Sequence, residues 1–325
     1  MRTNKTILVT GANGVLASNT IIELLSKGYH VLGMLRNKAK YVGPTHKNLK
    51  LIVGDILNKG QVLEVTRNCF AIIHAAGLTD QSVVGYQRYH EVNVDGTQNL
   101  IDLAVKNGVE KFIYVSTANV FGYGSSLQCG DESSEMKYPF TKSNYAISKR
   151  VAQSCAFRCT GKMEVMAVNP TFIIGAYDSK PSSGRLVLMG INKKIVFAPP
   201  GGKNFVSAVD VAKGIIKAME IGKNKESYLL ANENLTYVQF FKRLRNVSDN
   251  KFVIVRLPKT PMRIIGVFGE CARLLGVKTE LSITNTKALC EHTYYSNKKS
   301  MNELYMNYEP IDHGIYSSVK WFENC

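Results

Sequence analysis

The chain has 325 residues, 45% of them hydrophobic and 20% charged, a balance that excludes a disordered chain and is ample for one large domain or a large and a small one. No apolar run approaches the length of a membrane-spanning helix, so a soluble protein is expected. The formal charge of +16 would suit nucleic acid or an anionic membrane surface, but the lysines are spread along the chain without a basic block or interleaved aromatics. Most of the excess therefore reads as solvated surface, with some drawn towards an anionic ligand.

Residues 1–5 are polar and run straight into the first strand, so no signal peptide is expected. The apolar run Ile7, Leu8 and Val9 reads as a buried parallel strand. Residues 15–27 have helical spacing, with Leu16, Ile21, Ile22, Leu24 and Leu25 on or near one face. Between them lies a glycine turn. Gly11 suits backbone angles closed to other residues, and Gly14 lets the main chain approach a pyrophosphate. The amides at the helix start, where Asn13, Val15 and Leu16 stand, then face the anion. An ordinary strand-to-helix turn has the same spacing, and the position directly after a strand favours the phosphate cradle. Strands are expected at 29–35, 49–53, 70–74, 111–116 and 164–168. Helices are expected at 59–67, at 83–107 closed by Gly108, and at 143–159 after a Gly- and Ser-rich loop. This rhythm gives an α/β fold, a Rossmann-type doubly wound parallel sheet with ligand at the carboxyl ends of its strands.

Beyond Pro170 the rhythm loosens. Residues 201–207 lead into a helix at 209–221, residues 228–230 and 252–255 are short strand candidates, and Pro258, Pro261 and Pro310 punctuate helical pieces. The expected organisation is a dinucleotide-binding core at 1–170 and a smaller mixed, mainly helical C-terminal substrate lobe at 171–325, interleaved with the last strands of the sheet. The seven cysteines, Cys69, Cys129, Cys155, Cys159, Cys271, Cys290 and Cys325, are scattered and lack metal-ligand spacing. They read as reduced thiols in a cytoplasmic protein. No metal is expected: His30, His46, His90, His292 and His313 are isolated, and His74 reads as a packing residue.

Tyr145 and Lys149 carry the sharpest chemistry. Four residues apart on a helix, phenol and ammonium share a face, and a nearby positive charge favours phenolate, which would make Tyr145 an acid/base near neutral pH. An isolated pair at this spacing is more often plain surface; here it follows the fifth strand of a nucleotide-binding sheet. That strand ends in Ser116 and Thr117, where a hydroxyl either polarises a substrate carbonyl or merely caps the following loop.

With these residues in view, the chain resembles the extended short-chain dehydrogenase/reductase superfamily, NAD-dependent epimerase/dehydratase-like, over nearly its whole length. The resemblance rests on Thr10 to Ala17, Gly54-Asp55, His74 to Gly77, Asn93 to Thr97, the Ser116-Thr117 strand end, and Tyr145 to Lys149. It implies a carbonyl/alcohol redox site with Thr117, Tyr145 and Lys149 as catalytic residues and Ser116 beside them. It also implies that Asp55 and Ile56 border the adenine, that Ala75, Ala76 and Gly77 line the cofactor, and that Asn93 supports the site from its helix. Asn169, Pro170 and Thr171 look like the dihydroflavonol reductase and 3β-hydroxysteroid dehydrogenase branch, with Pro170 and Thr171 at the cofactor. Ala17 departs from the usual third glycine, and the substrate lobe matches no subfamily closely.

An enzyme for NAD tends to carry a carboxylate at the end of the second strand. This chain has Arg36, Asn37 and Lys38 there. Arg36 can grip a phosphate with paired donors, so NADP is favoured and NAD stays open, since an arginine can also stack on adenine. Residues 261–277 are amphipathic, with Arg263 and Arg273 opposite Ile264, Ile265, Val267, Phe268, Leu274 and Leu275. They read as a cover for the substrate pocket, with weak peripheral contact with a membrane as a second use. The leading reading is an NADP(H)-dependent oxidoreductase interconverting a carbonyl and an alcohol on a small, apolar molecule. Its expected partners are that substrate and, at most, a second copy of the chain, with no nucleic acid. The alternatives are a nucleotide-sugar epimerase or dehydratase, and a cofactor-sensing regulatory protein. The latter type typically loses the tyrosine or lysine that this chain keeps.

Overall fold

A computed structural model describes residues 5–191 and 193–324; residues 1–4 and Cys325 lie outside that range. In β1 (Thr6–Thr10), Ile7 and Val9 enter the apolar layer on one face of a sheet and Leu8 the layer on the other, all fully buried. A strand covered on both faces is apolar throughout, which is the mark of a parallel sheet. The chain continues through β2 (His30–Leu35), β3 (Leu49–Val53), β4 (Ala71–His74), β5 (Lys111–Val115), β6 (Glu164–Pro170) and β7 (Phe172–Ile174). Then come β8 (Ile195–Ala198), β9 (Gly202–Ser207), β10 (Ser227–Leu230), β11 (Glu233–Thr236), β12 (Val253–Arg256) and β13 (His292–Thr293). The large sheet has the order β10-β6-β5-β4-β1-β2-β3, with every pair parallel. Strand order reverses between β1 and β4, so the loops leaving those two strands flank the crevice in which such sheets bind ligands.

The helices are α1 (Val15–Ser26), α2 (Lys59–Val65), α3 (Gln87–Tyr89), α4 (Gly96–Lys106), α5 (Asn144–Phe157) and α6 (Arg185–Leu188). They continue with α7 (Ala208–Ile221), α8 (Tyr237–Val247), α9 (Lys259–Leu274), α10 (Ile283–Cys290), α11 (Lys298–Glu303) and α12 (Ile311–Glu323). Helices α1 and α7 cover one face of the sheet and pack on each other, with Ile21, Leu24, Ile215 and Ile216 in that layer. Helices α2, α4 and α5 cover the other through Val62, Leu100, Ile101 and Ala152. Each large side chain buried in these layers contributes about 1.5–3 kcal/mol.

The single helix expected at 83–107 differs. It starts at Gln87, because Asp80 closes a turn on Ser82 and Gly85 takes a positive φ of 82°. It then passes through a π-helical stretch, His90–Asp95, before α4. The second half of the chain holds more strand than expected. β9 pairs with β11, β7 and β13, and β8 pairs with β12. These enclose a separate core of Phe205, Phe240, Phe241 and Ile315. Chain beyond residue 170 also returns to the large sheet as β10 and covers it as α7. Among the described residues, no helix is long and apolar enough to cross a membrane.

Helix α9 reverses an expectation. Ile264, Ile265, Val267, Phe268, Leu274 and Leu275 face solvent, while Met262, Gly266 and Gly269 are its buried residues. The glycines permit a close approach to α10 that the large side chains would prevent.

Candidate active site

Gly11 follows β1 with φ +71°, and a Cβ placed there would lie 2.9 Å from Cα of Ala76 in the loop after β4. The two loops at the crevice therefore touch through a residue that has to be glycine. The Gly14 amide donates to the Gly11 carbonyl at 2.9 Å, closing the turn that carries Asn13. Gly14 then starts α1 with no side-chain cap and no acidic residue in the first turn, so the helix start at Val15 and Leu16 keeps its dipole open to an anion. Ala12 donates to the Met34 carbonyl at 3.1 Å and Gly54 to that of Leu35 at 3.0 Å, which stitches the ends of β1, β2 and β3 together. Arg36 is the exposed residue directly past β2. Asp55 and Ile56 stand past β3, where Asp55 accepts from the Leu57 amide at 3.0 Å and Ile56 is buried against Gly96.

Behind this edge lies a buried polar chain. The Thr97 hydroxyl donates to the Asn93 carbonyl at 2.6 Å, so it accepts from Nε2 of His74 at 2.9 Å. Nδ1 of His74 must then accept, and its partner is the Thr10 hydroxyl at 2.8 Å, which also takes the Ala76 amide at 3.1 Å. His74 is thus a neutral imidazole of fixed tautomer that ties β1, β4, the loop after β4 and α4 together. Burial, and secondarily the Lys149 charge, pull its pKa down to about 3.

The π-helical turn aims Asn93 at the same loop. Its Oδ1 accepts from the Leu78 amide at 2.7 Å, and its Nδ2 donates to the Leu78 carbonyl at 3.1 Å and to the Ser148 hydroxyl at 2.9 Å. A Cβ on Gly77 would come within 3.1 Å of Asn93 Oδ1 and 3.9 Å of Lys149 Nζ. Asn93, Gly77 and the inner face of α5 accordingly meet, with Ala75 and Ala76 in the same half-buried loop. Ser143 caps α5 through the Ala146 amide, and this helix buries Ser148, Lys149 and Gln153 against the sheet.

Tyr145 stands beside Thr117: burial pushes the phenol up to about 12, and the nearby Thr117 hydroxyl works against that rise. Thr117 also accepts from the Asn119 amide at 3.3 Å, so it serves the loop as well. Ser116, its neighbour, points elsewhere and has a buried Oγ with no partner. The expected lowering of the phenol by Lys149 is not what the site has. The Lys149 ammonium donates to the Val115 carbonyl at 2.7 Å, and burial brings its own pKa down to about 7. Pro170 ends β6 beside Leu230, and the Thr171 hydroxyl donates to Asn204 Oδ1 at 2.7 Å.

Sequence reasoning passed over Asn169. Its Nδ2 donates to the Thr117 carbonyl at 3.1 Å and to Gln153 Oε1 at 2.9 Å, bracing the hydroxyl residue from β6. The signal was its place in the Asn169-Pro170-Thr171 run. Ser148, Thr10 and Thr97 were passed over as well, since only the fold reveals whom a small hydroxyl meets.

The profile of the NAD dependent epimerase/dehydratase family matches residues 7–231. The chain belongs to that family. A Synechocystis relative with the provisional name dihydroflavonol 4-reductase is 25% identical over 323 residues, covering 97% of this chain and 94% of the relative. The mouse dTDP-D-glucose 4,6-dehydratase is 30% identical over 260 residues, covering 74% of this chain and 72% of that one. The crystal structure of gox2253 superposes with a TM-score of 0.83 at 25% identity, over 99% of this chain and 98% of that one. This family member is an extended short-chain dehydrogenase/reductase, an oxidoreductase of the class that acts on CH–OH and C=O groups with NAD(P). The residues fit a dinucleotide: an uncapped helix start at the glycine turn, glycines where a side chain would fill the space beside Ala76 and Asn93, and an unpartnered hydroxyl at Ser116.

Proposed function

We propose that this protein is an NADP(H)-dependent carbonyl reductase or alcohol dehydrogenase acting on a small apolar substrate. The observation that carries the reading is Tyr145 on α5 facing the turn that Thr117 opens past the carboxyl end of β5, one helical turn from buried Lys149. When bound, the dinucleotide supplies or accepts the hydride. Gly11, Asn13, Gly14, Val15 and Leu16 would hold its pyrophosphate, Asp55 and Ile56 would border the adenine, and Ala75, Ala76, Gly77, Ser116, Pro170 and Thr171 would line the rest.

The chain's own residues handle the proton. A phenol raised to about 12 is protonated at neutral pH, the form that donates to a carbonyl oxygen during reduction. Thr117 gives that oxygen a second hydrogen bond and polarises it. With the dinucleotide bound, the Lys149 ammonium would stand by its ribose and would offset the negative charge left on Tyr145 when the phenol gives up its proton. Asn93 and Asn169 hold the flanking backbone in place. Arg36 takes the 2′-phosphate that distinguishes NADP, as no carboxylate follows β2 to repel it. A cytoplasmic setting suits the six described cysteines, all free thiols.

The apolar substrate is favoured by the Synechocystis relative, whose match spans nearly the whole of both chains. The mouse dehydratase favours a nucleotide sugar instead, with NAD retained through a transient oxidation. Screening carbonyl compounds for NADPH oxidation, beside UDP- and dTDP-sugars, separates the two. Replacing Tyr145 with Phe should abolish turnover by a hundredfold or more, roughly the contribution of a general acid, and leave dinucleotide binding nearly intact. Turnover within about tenfold of the parent would remove Tyr145 from the role.

A further inference from the structure

Helix α9 packs inside out. Positions 262, 266, 269 and 273 form the stripe that faces the protein, and Gly266 and Gly269 sit so close to Thr286 and Leu281 that neither has room for a Cβ. The opposite stripe is Ile264, Val267, Phe268, Cys271, Leu274 and Leu275, spaced i, i+3, i+4, i+7, i+10 and i+11, and all of it is exposed. Phe268 is 71% exposed, Leu274 80% and Leu275 84%. A helix bathed in water normally buries such a stripe, and a contiguous apolar face left outside marks a surface that meets a partner.

The charges around the stripe say which partner. Arg256, Lys259, Arg263 and Lys278 are exposed along the same segment. Its two carboxylates are both engaged: Glu270 accepts from the Ile283 amide at 3.3 Å and Glu280 pairs with Arg185 at 2.6 Å. Exposed basic side chains therefore outnumber carboxylates along this segment, and the flank of α9 that carries Lys259 and Arg263 is basic. Two copies of this chain meeting through α9 would bring like charges together, whereas an anionic surface would meet both features at once.

We propose that α9 docks the protein on an anionic bilayer, with the apolar stripe in the boundary between headgroups and acyl chains and the basic flank on lipid phosphates. Neither signal alone holds a protein firmly to a membrane, and the combination does. The position has a use. Arg273, on the inner side of α9, donates to the Val83 carbonyl at 3.3 Å in the loop leading from the cofactor crevice, and α10 packs on the 140–142 turn just before α5. The docked surface is thus the outer side of a helical hairpin whose inner side borders the way to Tyr145.

The inference is independent of the redox reading, because docking is measured without dinucleotide or substrate. Flotation is run with vesicles of phosphatidylcholine alone and of phosphatidylcholine mixed with phosphatidylglycerol. The protein should float with the mixed vesicles, hardly with the neutral ones, and less as salt is added. The double variant Phe268→Ser/Leu274→Ser should lower vesicle affinity by about tenfold or more, with an unchanged thermal midpoint. If that variant folds poorly, Lys259→Glu/Arg263→Glu carries the test and should abolish the preference for phosphatidylglycerol. Failure of the parent protein to float with mixed vesicles overturns the proposal, as does flotation unaffected by the folded variants. Light scattering that finds a dimer dissociated by Phe268→Ser/Leu274→Ser also overturns it and assigns the patch to a second copy.

Discussion

The ammonium of Lys149 donates to the main-chain carbonyl of Val115 at 2.7 Å and stands 4.2 Å from the centre of the Tyr114 ring. A cation is thereby held in the sheet's interior by one carbonyl and an aromatic face, which is poor compensation for the water it has lost.

The consequence is a pH signature in the protein without dinucleotide. Lys149 titrates near 7 when folded and near 10.5 when unfolded, so between those values the unfolded chain binds the extra proton and stability rises with pH. Lys149→Met should therefore gain most over the parent at pH 7 and below, on the order of 1–3 kcal/mol, and its advantage should shrink by pH 10. Urea melts across that range decide it. An advantage that grows with pH would contradict the buried-charge account.

His74 makes the opposite end of the pH scale informative. Its folded value of about 3 lies below its ordinary 6.5, so its contribution is complete above pH 6.5 and is lost as pH falls from there towards 3. His74→Gln should be less stable than the parent at pH 7 yet lose stability less steeply on acidification, by up to about 1.4 kcal/mol per pH unit. Parallel acid melts of the two proteins would show that the imidazole is not the titrating group.

Of the two hydroxyls that follow β5, Thr117 is the one that acts on the Tyr145 phenol, and neighbours along an extended chain point to opposite sides. Thr117→Val should reduce turnover by about a hundredfold, while Ser116→Ala should act mainly on dinucleotide affinity. Steady-state kinetics that split kcat from KM for both variants test this, and the reverse ranking would pass the role to Ser116.

Arg36 should give a preference for NADPH over NADH. Arg36→Ala should weaken NADPH binding by about ten- to a hundredfold and leave NADH little changed, and the preference should fall with salt because the residue is exposed. Lys38 can share the load, so the double variant is the fairer comparison. Equal affinities of the parent protein for the two cofactors, by fluorescence titration, would return the choice to NAD.

The central strands of the large sheet were legible because a strand buried on both faces has no polar positions to blur it, as in Ile7, Leu8 and Val9; the edge strand β3 showed only through its apolar Leu49, Leu51, Ile52 and Val53. Glycines, Tyr145 and Lys149 were legible because their chemistry depends on residue type and spacing. Other features were not. The π-helical turn that aims Asn93 leaves no trace in apolar periodicity, and strands as short as β7 and β13 pair with β9 across long stretches of chain. For α9 the stripe itself was visible; what periodicity cannot tell is which side meets the protein, and the small glycine side won. The effect of Lys149 on the phenol was misjudged for a related reason. Spacing placed the two groups on one face but said nothing of the water removed from both.

Helix α7 lays Val211, Ile215, Ile216 and Met219 into the same layer as Ile7 and Val9. A nascent chain therefore finishes the glycine turn some two hundred residues before it has the helix that covers that face of the sheet. Until Ala208–Ile221 leaves the ribosome, the part of that face which α1 does not cover is bare and open to chaperones.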